Sequence, residues 1–155
     1  MEAVIFCGIQ ASGKSTFFRE RFFDTHVRVS LDLLRTRHRE RVFMRACLTT
    51  QQRFVVDNTN ATRAERARYV VPARAAGFRV VGYFFAADPG AAFERNRRRP
   101  GRAAIPAAGL FGTQKRLEPP RLDEGFDALF RVELLEGAGF AVEPWGGAVD
   151  GSGGA

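Results

Sequence analysis

The sequence predicts a parallel α/β sheet of about five strands with helices on both faces, and three observations predict it. A short apolar run, Ala3–Cys7, breaks into a glycine loop at Gly8–Gly13 and resumes at once with helical spacing. Further apolar segments then alternate with helical ones along the chain. No linker divides the 155 residues, a length that suits one domain with one core.

Ala3–Cys7 lacks polar alternation, as a strand buried on both faces should. Ser15–Phe23 reads as a helix whose Phe17, Phe18, Phe22 and Phe23 face the core. Val27–Ser30 is a second strand, followed by a helix from about Leu31. Arg39–Gln52 is polar and Arg-rich with scattered apolar positions, and reads as helical. Phe54–Asp57 is a third strand that ends in the polar cluster Asn58-Thr59-Asn60. Thr62 stands three residues before Glu65, a capping-box spacing, and opens a helix to Ala76 that stops at Gly77. Phe78–Ala86 is the fourth strand.

Asp88-Pro89 supplies an N-cap and a first helical position for a helix through Arg99, which Pro100-Gly101 ends. Phe130–Leu135 is a fifth strand, with another short apolar stretch at Phe140–Val142. The domain is expected to span residues 1–145, with Trp145 packing its C-terminal stretch. The Gly-rich residues 146–155 are expected to form a flexible tail.

The formal charge is +7, which favours an anionic partner and is equally what an Arg-rich composition produces. Against that arginine bias the lysines stand out, because the chain has only Lys14 and Lys115. Cys7 and Cys47 have no disulfide or metal spacing, and Cys7 reads as a small buried hydrophobe. Neither His26 nor His38 has a partner pattern. No apolar run approaches membrane-spanning length, and the N-terminal run is too short for a signal peptide. A reducing cytoplasmic setting is the expectation.

Gly8-Ile9-Gln10-Ala11-Ser12-Gly13-Lys14-Ser15 fits the phosphate-loop pattern G-x-x-x-x-G-K-[ST] at every fixed position. Glycines let the backbone curl so that successive N–H groups converge on a phosphate, and the following helix presents its positive end. The loop thus predicts ATP bound by Gly8, Gln10, Ala11, Ser12, Gly13, Lys14, Ser15 and Thr16. Lys14 would reach the β- and γ-phosphates, and the Ser15 hydroxyl would ligate Mg²⁺.

Asp32 follows the second strand and belongs on the same sheet rim. Asp32 and Arg35, three apart on a helix, would face one way: a carboxylate to take a proton and a guanidinium to grip a phosphate. The same spacing suits a solvated ion pair equally well. Asp57 closes a strand as a Walker-B acid does, near Mg²⁺, and Asn58, Thr59 and Asn60 add polar groups to the rim. A plain polar turn would use the same residues. Arg95 and Arg99, four apart, share a helical face and would aim two guanidinium groups at a transferring phosphoryl, with Pro100–Ala108 as a mobile lid. A basic run is otherwise an ordinary solvated face.

Taken together, these motifs resemble the kinase domain of bacteriophage-type polynucleotide 5′-kinases and their bacterial repair relatives. The resemblance rests on the phosphate loop, Asp32-x-x-Arg35, Asp57-x-Thr-Asn60 and Arg95-Asn-x-x-Arg99 in that order, with Glu124-Gly-Phe-Asp127 as a further signature. It covers about residues 3–135 and implies an adenylate-kinase-like core with an Arg-bearing lid.

It also implies ATP- and Mg²⁺-dependent phosphoryl transfer to a 5′-hydroxyl end of DNA or RNA. Asp32 would be the general base, Lys14 and Arg99 catalytic cations, and Arg95 and Arg99 lid residues over ATP. Asp32, Arg35, Asp57 and Asn60 would meet the acceptor, and Ser15 and Asp57 the metal. No repair domain accompanies these motifs, so the chain resembles an isolated kinase module. A small-molecule hydroxyl acceptor and a non-catalytic nucleotide- or nucleic-acid-binding module are the alternatives.

Overall fold

A computed structural model of the protein describes residues 1–98, 106–135, 137 and 139–146. Six strands form one sheet: β1 (Glu2–Cys7), β2 (Val27–Val29), β3 (Phe54–Val56), β4 (Arg79–Phe85), β5 (Ala128–Leu135) and β6 (Gly139–Pro144). Their order across the sheet is β2-β3-β1-β4-β5-β6. The first five are parallel. β6 turns back antiparallel on β5, pairing Phe130 with Pro144 through Leu135 with Gly139. The expected five-strand sheet therefore gains a sixth, antiparallel edge strand, built on the Phe140–Val142 stretch.

The helices are α1 (Lys14–Arg21), α2 (Leu31–Leu34), α3 (Arg37–Thr50), α4 (Arg63–Ala75), α5 (Pro89–Arg97) and α6 (Ala107–Arg116). Side chains alternate across β1 and feed two cores. Ala3 and Ile5 join Phe54 and Val56 against Met44 and Cys47 of α3 and Tyr69, Val70 and Ala73 of α4. Val4 and Phe6 join Val55 and Phe85 against Phe17 and Phe18 of α1 and Phe22, which caps its C-terminal end. The aromatic rings of this second core meet largely edge-on, as Phe17 and Phe85 do at 5.3 Å between centroids. Phe23 is not part of it. It lies past the end of α1 and is 68% exposed.

The predicted caps are present, with small shifts. Thr62 accepts from the Glu65 amide, while Glu65 reaches back one residue further than expected, to the Ala61 N–H. Asp88 accepts from the Ala91 amide with Pro89 in the first turn, and α5 ends at Arg97. Helix α6 was not foreseen. It packs Leu110 into a small apolar cluster with Ile9 and Ala92, which seats α5 and α6 over the phosphate loop. Trp145 stacks on Phe84 at 4.8 Å. Arg99 and most of the expected lid, residues 99–105, lie outside the described residues, as does nearly all of the expected tail.

Arg66 of α4 is wholly buried and forms a two-pronged ion pair with Glu124, at 2.8 and 2.9 Å. Its remaining nitrogen donates to the carbonyls of Asn60 and Ala61 and approaches Cys7 Sγ. Glu124-Gly125-Phe126-Asp127 is thereby explained as architecture. Gly125, at φ 112, leaves no room for a Cβ beside Val70 and Arg74. Phe126 enters the core, and Asp127 accepts from the Val80 amide. Removing one partner of a buried pair strands the other charge, so Glu124→Ala should cost about 3–5 kcal/mol. Urea unfolding would show this as a lower midpoint with an unchanged slope; an unchanged midpoint would contradict it.

Candidate active site

The loop between β1 and α1 has the curl its motif requires. A Cβ on Gly8 would lie 2.9 Å from Phe85 Cβ, so glycine is needed there for close approach to β4. Ala11 (φ 59) and Gly13 (φ 99) take left-handed backbone. The Ala11 carbonyl is held by Arg95 Nε at 2.7 Å, which brings the first of the predicted lid arginines onto the loop itself. Burial lowers the Arg95 guanidinium from its ordinary value, opposed by Asp88. Gln10 ties the loop to α6 through Thr113 Oγ1 at 3.0 Å, while its own Oε1 is buried without a partner.

Lys14 opens α1 and is buried, its Nζ donating to the Gly8 and Ile9 carbonyls at 2.9 and 2.6 Å. Thr16 is exposed one residue past Ser15. At the end of β3, Asp57 is 6% exposed and accepts from Ser15 Oγ at 3.1 Å. Arg28 of β2 completes a triangle. Its Nε donates to Asp57 Oδ2 at 2.8 Å and its Nη2 to Ser15 Oγ at 3.0 Å.

The adjacency of β1 and β3 makes this meeting possible, because the loops leaving them open on the same rim. Three bonds fasten the rim: Gly8 N–H to Thr59 O, Asp57 N–H to Val29 O, and Asn60 Nδ2 to Phe6 O. Asn60, expected at the acceptor, is thus buried with its amide committed to the sheet.

A cavity of about 280 Å³ lies over the loop, and Lys14, Ser15, Asp32 and Asp57 all line it. Asp32 is exposed at its edge. The predicted pairing with Arg35 is corrected: α2 is a single turn ending at Leu34, and Arg35 caps it at φ 75. Helical i,i+3 geometry does not extend that far, and the arginines lining the cavity are Arg28 and Arg37.

Sequence reasoning missed the network that places Asp32. Asn58 Oδ1 accepts from the Leu31 amide at 2.9 Å, and Asn58 Nδ2 donates to Glu40. Buried Glu40 also accepts from Tyr69 Oη at 2.8 Å and Arg37 at 3.0 Å. Burial, followed by the hydrogen bond to Glu40, pushes the Tyr69 phenol up to about 12, so it stays a proton donor at neutral pH. The available signal was composition, since Glu40 is the one carboxylate in the basic helix α3. Arg37 also borders an adjoining cavity of about 410 Å³, lined by Glu40, Arg41, Met44, Arg68 and Tyr69.

The donors fit a hard divalent cation. Ser15 Oγ and Asp57 Oδ2 converge and already receive a cationic group, the Arg28 guanidinium. No group of three or more His, Cys, Asp or Glu side chains that could hold a metal occurs among the described residues. A magnesium site that borrows ligands from substrate phosphates and water does not require one. Cys7, at the end of β1, is not poised as a nucleophile, because burial pushes its thiol up to about 11.

Sheet, loop and rim acids define the class as a P-loop NTPase of the kinase-like kind. The chain belongs to the AAA domain family, whose sequence model matches residues 37–120. That match begins after the phosphate loop, so the loop is an independent observation. Among solved structures, a gluconokinase from Sinorhizobium meliloti 1021 is similar, with TM-score 0.62 and 18% identity over 87% of this chain and 83% of that one. Kti12 of Chaetomium thermophilum, solved with ADP-AlF3, gives TM-score 0.59 and 17% identity over 84% and 88%. The PezAT toxin–antitoxin system of Streptococcus pneumoniae gives 0.61 and 15% over 85% and 66%. At these identities the likeness is one of fold. No helix among the described residues is long and apolar enough to cross a membrane.

Asn58→Ala should leave the Leu31 amide without its acceptor and cost about 1–3 kcal/mol. Amide hydrogen exchange would then show Leu31 losing protection while the β1 amides keep theirs. Unchanged exchange at Leu31 would remove Asn58 from the positioning of α2.

Proposed function

We propose that this protein is a kinase that transfers the γ-phosphoryl of ATP to a hydroxyl on a phosphate-bearing acceptor, with a 5′-hydroxyl end of DNA or RNA as the leading case. One observation carries the reading: Lys14, Asp32 and Asp57 line a single cavity, and Arg37 joins it to a second one walled by Arg41 and Arg68. The net charge of +7 supports an anionic acceptor.

The loop N–H groups and Lys14 would hold the β- and γ-phosphates, with Lys14 exchanging loop carbonyls for phosphate oxygens. Arg95, which holds the Ala11 carbonyl, would stand beside the same phosphates. Ser15 and Asp57 would hold Mg²⁺, which supplies neutralisation of phosphate charge when bound. Asp32 takes the proton of the acceptor hydroxyl, and Arg37 steadies the acceptor's own phosphate in the role first expected of Arg35. Such chemistry asks mainly for positioning and charge stabilisation.

A small anionic hydroxyl compound is the second reading. The cavity of about 410 Å³ is of a size that would enclose one, and a gluconokinase shares the fold. Labelled ATP offered with a 5′-hydroxyl oligonucleotide, and separately with a panel of small hydroxy acids and sugars, distinguishes the two by which product carries label. Label on neither would count against the kinase reading. Asp32→Asn should keep ATP binding by calorimetry while lowering transfer by about 10²–10⁴, the range of a positioned general base. Wild-type turnover in that variant would remove Asp32 from the mechanism.

A further inference from the structure

Arg28 was singled out by no motif, yet it occupies a telling position. Its guanidinium bonds both oxygens assigned to the divalent cation: Asp57 Oδ2 at 2.8 Å and Ser15 Oγ at 3.0 Å. Those two oxygens are themselves 3.1 Å apart. The Asp57 side chain is only 3% exposed and Arg28 25%, so the pair is shielded from solvent on the carboxylate side. The Phe18 ring lies beneath the guanidinium, 6.0 Å from Cζ, and contributes a further weak attraction. A buried carboxylate needs a positive partner, and here a tethered one is supplied from β2.

We propose that Arg28 is a resident counter-ion of the divalent-cation site, exchanged for the metal when metal and nucleotide bind. The proposal rests on the nucleotide reading above. A guanidinium and a divalent cation compete for the same oxygen faces and repel each other at contact distance. Loading therefore requires Arg28 to leave Asp57 and Ser15. Its side chain is a quarter exposed, and the cavity it lines gives it somewhere to go, towards the anionic phosphates. Two consequences follow for the protein without nucleotide. Asp57 and Ser15 stay oriented, and free divalent cations are held weakly because each must first displace an intramolecular rival.

The test titrates Mn²⁺, read by electron paramagnetic resonance, into wild type and Arg28→Met, each saturated with ADP. Methionine keeps an unbranched apolar stem and removes the charge. The expected result is an apparent Mn²⁺ dissociation constant at least about tenfold lower in R28M, the fold-change that losing charged hydrogen bonds to a competitor implies. Thermal unfolding gives an independent readout. R28M should melt below wild type without metal, since buried Asp57 is left without a counter-charge, and MgADP should raise its midpoint more than it raises the wild type's.

Equal or weaker Mn²⁺ binding by R28M overturns the exchange and makes Arg28 a phosphate ligand or a structural residue. If R28M does not fold, Arg28→Lys replaces it. A single ammonium cannot span both oxygens as the guanidinium does, so a smaller gain in Mn²⁺ affinity is expected and no gain overturns the proposal. Folded wild type and variant that both fail to bind MnADP would instead sink the nucleotide reading itself.

Discussion

The buried ion pair of Arg66 and Glu124 is the constraint from which the site's geometry descends. Four separate segments meet at one guanidinium: the end of β1 at Cys7, the loop carbonyls of Asn60 and Ala61, helix α4, and the turn before β5. Neither charge would survive there alone, because desolvating an unpaired ion exceeds anything nearby packing returns. With every nitrogen of the guanidinium engaged, the rim behind Asp57 is held from below. Asn60 secures it again through the Phe6 carbonyl. The phosphate loop can therefore be a loop and still present fixed groups.

The site's cations are engaged within the protein before any ligand arrives. Lys14 bonds loop carbonyls, Arg95 bonds the Ala11 carbonyl, and Arg28 bonds Asp57 and Ser15. Ligand binding at such a site is an exchange of partners more than a filling of space. Exchange lowers the gain from each contact, and it raises selectivity for ligands charged enough to outbid the internal acceptors. Triphosphate oxygens meet that condition; a neutral ligand would not.

The fold was legible in the sequence wherever local chemistry and the core agreed. The buried β1 run, the Gly8–Gly13 loop and the Asp88-Pro89 helix start each declare themselves within a few residues. Lys14, Ser15 and Asp57 follow from that order, since parallel strands deliver their C-terminal ends to one rim. Arg35 did not follow, because nothing in Leu-Asp-Leu-Leu-Arg says the helix lasts one turn. Glu40, Tyr69 and Asn58 converge from α3, α4 and the end of β3, and Arg66 finds Glu124 across 58 positions of sequence. Such pairings are tertiary and leave no spacing to read. Helix α6 escaped for a related reason: its one buried apolar side chain, Leu110, packs on residues of the loop and α5 and not on a periodic stripe of its own.

Backbone strain sharpens the case that this rim is functional and not merely the end of a sheet. Among the described residues, four non-glycine positions have positive φ: Ala11, Arg35, Gln51 and Asn60. Gln51 is an ordinary left-handed helix cap. The other three stand in the phosphate loop, at the end of the turn carrying Asp32, and in the segment after Asp57. Each such conformation costs of order 1–3 kcal/mol and persists only where surroundings enforce it. The enforcing contacts are visible: Arg95 on the Ala11 carbonyl, Arg66 on the Asn60 carbonyl, and the Arg35 amide on the Leu31 carbonyl. A sheet that needed only stability would have relaxed these turns with glycine. Here they hold an ammonium, a carboxylate and a hydroxyl–carboxylate pair around one cavity, and that convergence is what the strain maintains.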